Sequence, residues 1–219
     1  MTADRSSVFR HQSSVLSPLY KQTFMGMAQP MKFSQYIFLT RSDLHRYAGN
    51  STFSSFVYHL VLSAGYQYSF WMRTCAYLRS HFIFRFLLFP FARLFLRFFE
   101  NRYDISIPCQ THIGSGFYIS HGGGIAVHQS VVIGKNCNIS HQVTLGGMEE
   151  KGQPVIGDYV YVGPGAKVSG NVHIGDHVVI SAGCVVSGDV PGHSVVFGAP
   201  GRVASLEEGE VYIYRTDYE

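Results

Sequence analysis

From Ile156 to Val186 the chain reads IGDYVYVGPGAKVSGNVHIGDHVVISAGCVV, with an aliphatic residue at every sixth position: Ile156, Val162, Val168, Ile174, Ile180 and Val186. Glycine follows at Gly157, Gly163 and Gly175, and serine at Ser169, Ser181 and Ser187. Six is the period of neither a helix nor a simple strand. A short fixed repeat of aliphatic and small residues describes a solenoid in which each hexapeptide makes one short strand and one corner. Three hexapeptides close a triangular coil, and each inward side chain stacks on its equivalent one coil later, about 4.8 Å along the axis. Glycine or asparagine at the corner accommodates positive φ. A β-sandwich, with turns recurring irregularly every ~8–12 residues, would not keep this count.

The register extends backwards through Leu145, Ile139 and Ile133, and beyond them to Ile125, Ile119 and Ile113. Two residues are in excess between Ile125 and Ile133, near His128, and five between Leu145 and Ile156, around Met148–Gly152. Insertions in a solenoid become surface loops, often on the binding face. Asp189-Val190-Pro191-Gly192 ends the coil and Gly198–Arg202 forms a return segment.

Upstream, apolar residues recur at helical spacing around Arg41–Leu44 and from Phe53 to Arg73, predicting two helices separated by the Gly49-Asn50 turn. The expected organisation is a loosely ordered tail (1–30), an α-helical region (31–103), a β-helix (104–205) and a C-terminal tail (206–219). The segment 77–102 is dense in phenylalanine and carries Arg79, Arg85, Arg93, Arg97 and Arg102, with Pro90 breaking it. It reads either as an interfacial helix, with arginines meeting anionic lipid, or as a helix packed on the open end of the solenoid.

At 219 residues, 46% hydrophobic and 14% charged, the chain is not disordered, and a net charge of +3 is too small to argue for nucleic acid. Cys75, Cys109, Cys137 and Cys184 lack metal-type spacing and read as reduced core thiols. No secretory signal is visible, and polar residues interrupt the uncharged stretch Ala48–Met72 too often for a membrane span. The expected location is the cytoplasm, with peripheral contact at the inner face of the cytoplasmic membrane through residues 77–102.

Register also organises the histidines. His121 stands two residues after Ile119 and His141 two after Ile139, so both project from one face in adjacent coils, with Pro164 next in the column. Paired imidazoles beside an extruded loop suit acid–base work, although either alone also reads as a polar corner residue.

At this point a resemblance enters. The stretches Tyr118-Ile-Ser-His-Gly122, Asn138-Ile-Ser-His-Gln-Val-Thr-Leu-Gly-Gly147, Gly163-Pro-Gly-Ala-Lys167 and Gly198-Ala-Pro-Gly-Arg-Val203 resemble the left-handed β-helix hexapeptide acyltransferases. Among these the chain is similar to serine O-acetyltransferases and, more closely, to colanic-acid-type polysaccharide acetyltransferases. The resemblance implies a left-handed parallel β-helix, a homotrimer or a dimer of trimers, and acetyl-CoA as co-substrate, with no metal. It places a general-base histidine at His121, with His141 beside it. Backbone donors for the oxyanion would lie around Gly146 and Gly147, with Gln153 in the acceptor region. Acyl-CoA would run past Gly163, Ala182 and Gly183, with Lys167 and Arg202 meeting phosphates; taken alone, either cation is an ordinary solvated charge.

The departures bear on the acceptor. Serine acetyltransferases flank and orient the histidine with aspartates where this chain has Ser120 and Ser106; Asp104 is the nearby substitute. Their Arg-His-Pro loop element corresponds to Gly152-Gln153-Pro154, and their glutamine to His141. The leading expectation is therefore an O-acetyltransferase acting on a sugar of a capsule, exopolysaccharide or O-antigen precursor, with serine as the alternative acceptor. Two further readings are a γ-carbonic-anhydrase-like zinc β-helix using His141, His173 and His177 contributed from two subunits, and a catalytically inactive scaffold.

Overall fold

The computed structural model describes residues 30–147, 152–205 and 212–218. Residues 1–29, the loop residues 148–151, residues 206–211 and residue 219 lie outside it, so the expectations for the N-terminal tail and the loop tip fall outside the described residues. Helices α1 (Phe33–Ala48), α2 (Phe53–Leu62), α3 (Ala64–Ser80), α4 (Phe82–Leu87) and α5 (Phe89–Tyr103) precede a parallel β-helix. Its coils match the left-handed hexapeptide type.

Three faces make the prism. The first stacks β1 (Ile105–Ser106), β4 (Ile125–Val127), β7 (Thr144–Leu145), β10 (Lys167–Val168) and β13 (Val185–Val186). The second stacks β2 (His112–Ile113), β5 (Val132–Ile133), β8 (Val155–Ile156) and β11 (His173–Ile174). The third stacks β3 (Tyr118–Ile119), β6 (Asn138–Ile139), β9 (Tyr161–Val162), β12 (Val179–Ile180) and β14 (Val195–Phe197), closed by the antiparallel β15 (Arg202–Ser205). Every aliphatic residue of the six-residue register is buried in one continuous core. Close coil spacing explains the glycines: a Cβ on Gly163 would stand 2.8 Å from Ala182 N and Ile180 O.

The two-residue excess sits elsewhere than near His128. Ile119 pairs with Ile139, twenty residues on, whereas Ala126 pairs with Thr144, eighteen on, so the extra residues belong to the corner His121–Gly124. Both Ile125 and Val127 point inward across the three-residue strand β4, which is why either satisfies an aliphatic register. The five-residue excess is as expected: Val132 pairs with Val155 across it.

Corners need not hold glycine or asparagine. Tyr159, His177 and His193 adopt φ of 56–58° at one edge of the prism. Their rings stack in a column, Tyr159 on His177 at 4.8 Å and His177 on His193 at 4.7 Å. Ring stacking contributes about 0.5–1.5 kcal/mol per pair, which offsets the left-handed backbone cost of similar size.

The helical region covers the first coil, whose strands would otherwise expose unpaired edges. Asp43 accepts from the N–H of Phe117 at 2.9 Å and from Arg73 Nε at 3.0 Å, while Arg73 donates to the carbonyls of Ile113 and Gly114 at 2.6 Å. Tyr68 and Tyr47 each bond both backbone groups of one edge residue, Ile107 and Ile119 respectively. Arg46 donates to Gly116 O, Asn138 Oδ1 and Tyr214 O, tying in the segment 212–218 that runs along the third face. The stretch Phe53–Arg73 is two helices, divided at Ser63. The break seats Gly65 directly on β3, where a Cβ would collide with Ile119 O and the Tyr47 hydroxyl. Pro90 stands in the first turn of α5, where its missing N–H leaves no helical bond unmade.

Candidate active site

The corner between the third and first faces carries the chemistry. His121 and His141 lie on it in successive coils, their rings 6.1 Å apart at 64°. His121 is exposed and His141 half-buried. Nδ1 of His141 is buried and has no hydrogen-bond partner among the described residues, so any substrate contact falls to the other ring nitrogen.

The extra residues make the His121 corner a bulge, His121-Gly122-Gly123-Gly124, which α5 fastens from outside. The Tyr103 carbonyl accepts Gly123 N–H at 2.8 Å, and Asp104 Oδ2 accepts Gly124 N–H at 2.8 Å. Gly123 and Gly124 have φ of 109° and 66°, and a Cβ on Gly122 would stand 2.9 Å from Tyr103 O. Asp104 therefore braces the backbone of the corner; its carboxylate bonds Gly124 and no bond to His121 is present among the described residues. Ser106 is exposed and Ser120 partly buried. The triple glycine after His121 was the signal in the sequence for this bulge, and the role of Tyr103 carried none.

The same corner continues along the axis as a backbone ladder. Gln142 N–H bonds Gly123 O, Gly165 N–H bonds His141 O, and Gly183 N–H bonds Pro164 O, at 2.6, 2.9 and 2.7 Å. The column thus runs from His121 past His141 and Pro164 to Ala182 and Gly183, three coil spacings or about 14 Å. Gly163, Ala182 and Gly183 lie at the distal part of this edge. Lys167 pairs with Val185 on the adjoining face, and the Val185 carbonyl accepts Gly201 N–H, so the exposed Lys167 and Arg202 stand at that same end.

Gly146 and Gly147 do not join the histidines. They occupy the next corner, beyond the strand Thr144–Leu145, where the extruded loop leaves the prism. Gly146 N–H donates to Val168 O, while Gly147 exchanges two bonds with the Gln153 amide, donating to Oε1 at 3.0 Å and accepting from Nε2 at 3.2 Å. Both N–H groups are committed within the chain, and Gln153 acts as a clasp across the base of the loop. Nor do the three histidines of the zinc reading converge within one chain. His173 lies on the second face, His177 is inside the stacked column at the following corner, and His141 is on a third edge. Among the described residues, no group of three or more His, Cys, Asp or Glu converges as a metal site.

A family model described as bacterial transferase hexapeptide (six repeats) matches residues 153–188. A serine acetyltransferase of Staphylococcus aureus is 36% identical over 114 residues, 51% of this chain and 52% of the relative. A probable serine acetyltransferase of Oryza sativa subsp. japonica is 43% identical over 102 residues, 45% of this chain and 30% of the relative. The chain thus spans about half the length, or less, of these curated relatives. The crystal structure of serine acetyltransferase from Brucella abortus strain S19 aligns with a TM-score of 0.67 at 27% identity, covering 85% of this chain and 75% of that one. That enzyme's complex with coenzyme A aligns at 0.66 and 26% identity, covering 84% and 73%.

Proposed function

We propose that this hexapeptide-repeat protein with serine acetyltransferase relatives is an acetyl-CoA-dependent O-acetyltransferase whose general base is His121. The observation that carries the reading is the single edge joining the exposed His121 and the half-buried His141, through Pro164, to the glycine-lined end near Lys167 and Arg202. An acyl-CoA laid along that edge meets small residues and cations at one end and paired imidazoles at the other.

In this mechanism the acceptor hydroxyl binds between the two rings. His121 removes its proton as the oxygen attacks the thioester carbonyl, a contribution typically of ~10²–10⁴ in rate. His141 lines the acceptor site beside His121, and the Gly122–Gly124 bulge holds His121 out from the prism. Collapse of the tetrahedral adduct expels the CoA thiolate, which recovers the proton from His121. The assembly belonging to this reading is a homotrimer, in which a neighbouring β-helix walls the groove.

Serine is the acceptor supported by the relatives' names, against the leading expectation of a sugar. A sugar hydroxyl is the second reading, favoured by one observation: Ser106 and Ser120 stand where the resemblance to serine enzymes implies aspartates, and Asp104 is occupied with Gly124. Coenzyme A release measured with L-serine and, separately, with nucleotide-linked or lipid-linked sugars decides between them. Saturable turnover with serine supports the first reading and turnover only with sugars the second. No turnover with any hydroxyl acceptor overturns both and leaves the inactive scaffold.

A further inference from the structure

The helical region does more than close the β-helix. On α5 the residues Ala92 and Leu96 are buried, with Phe99 and Tyr103 packed beside them, while Phe91, Leu94, Phe95 and Phe98 form the opposite, outward stripe. Phe91 and Leu94 are 67% and 69% exposed, and Phe82 on the adjoining α4 is 79% exposed. An apolar surface on this scale marks a binding face.

Charge says what kind. Residues 31–103 contain nine Lys or Arg against only Asp43 and Glu100, a net +7, whereas residues 104–219 contain five against eleven acids, a net −6. Both acids of the helical region are already paired, Asp43 with Arg73 and Glu100 with Arg93 and Arg97. Arg85 and Arg97 lie exposed among the outward phenylalanines. Two copies meeting through this face would bring like charges together. Among the described residues no helix is long and apolar enough to cross a membrane.

We propose that the outward face of α4 and α5 docks on an anionic bilayer surface, its Phe and Leu side chains entering the headgroup boundary and its arginines meeting lipid phosphates. The helix α5 runs about 22 Å and ends at the corner it braces through Tyr103 and Asp104, so docking fixes His121 near the membrane. The surface is independent of which hydroxyl is acetylated.

The test is co-sedimentation of the full chain with phosphatidylglycerol–phosphatidylcholine vesicles and with pure phosphatidylcholine vesicles. The single tryptophan, Trp71, stacks on Phe95 at 4.6 Å and serves as a depth reporter through quenching by brominated lipid. Expected are binding to anionic vesicles that weakens with salt, quenching of Trp71, a roughly fivefold loss for each of Arg85→Gln and Arg97→Gln, and abolition by Phe86→Ser with Phe91→Ser. All these side chains are exposed, and unchanged circular dichroism certifies each variant. Absence of binding to anionic vesicles would overturn the proposal. So would binding that the phenylalanine changes leave intact, or a fall in solution mass in those variants, which would assign the face to a second copy.

Discussion

Asp104 Oδ2 accepts the Gly124 N–H at 2.8 Å, joining the end of α5 to the corner that displays His121. The bond spans the junction between the helical cap and the first coil, so the position of the base depends on a residue outside its own loop.

Asparagine keeps an acceptor oxygen there and alanine does not. Asp104→Asn is therefore expected to retain acetyl transfer within about threefold, while Asp104→Ala, which frees the glycine bulge, lowers kcat about tenfold or more with little change in the KM for acetyl-CoA. Steady-state kinetics check both. A large loss in the asparagine variant would mean that the carboxylate's charge acts on His121.

The Asp43–Arg73 pair is buried, with side chains only 1% and 6% exposed, and it also satisfies the Phe117 N–H and two carbonyls of the first coil. Asp43→Ala leaves Arg73 charged and unpaired in the interior. Urea denaturation should show a loss of about 3–5 kcal/mol.

Gly65 sits against Ile119 O and the Tyr47 hydroxyl, with no room for a methyl group. Gly65→Ala should cost about 1–3 kcal/mol by pushing α3 off β3, although alanine is the better helix former. A rise in melting temperature would refute this packing.

Burial pushes the thiols of Cys75 and Cys137 up to about 12. A raised pKa favours the protonated, unreactive thiol, so at pH 8 both resist a disulfide reagent, and their reactivity grows as pH increases. Cys109, only partly buried, reacts first in the native chain, and all four thiols react in urea.

The fold was legible because the repeat writes one inward side chain per strand: Ile156 through Val186 needed nothing beyond counting. The placing of His121 and His141 on one edge in successive coils followed from the same count and stands in the structure. What escaped was set by backbone partners distant in sequence. Ile125 and Val127 both face inward, so the register alone placed the excess near His128 when it belongs to the His121 corner. Gly146 and Gly147 looked free because a glycine-rich corner does not reveal the Gln153 amide that occupies it. The capping by Asp43, Arg46 and Arg73 was equally invisible, since it reaches main-chain groups 40 to 74 residues away.

The most direct measurement is the acetyl-CoA turnover of His121→Ala with the acceptor that supports the wild-type chain. Expected is a fall in kcat of ~10²–10⁴-fold, with the KM for acetyl-CoA and the melting temperature unchanged. A variant keeping more than a tenth of wild-type kcat would contradict His121 as the general base.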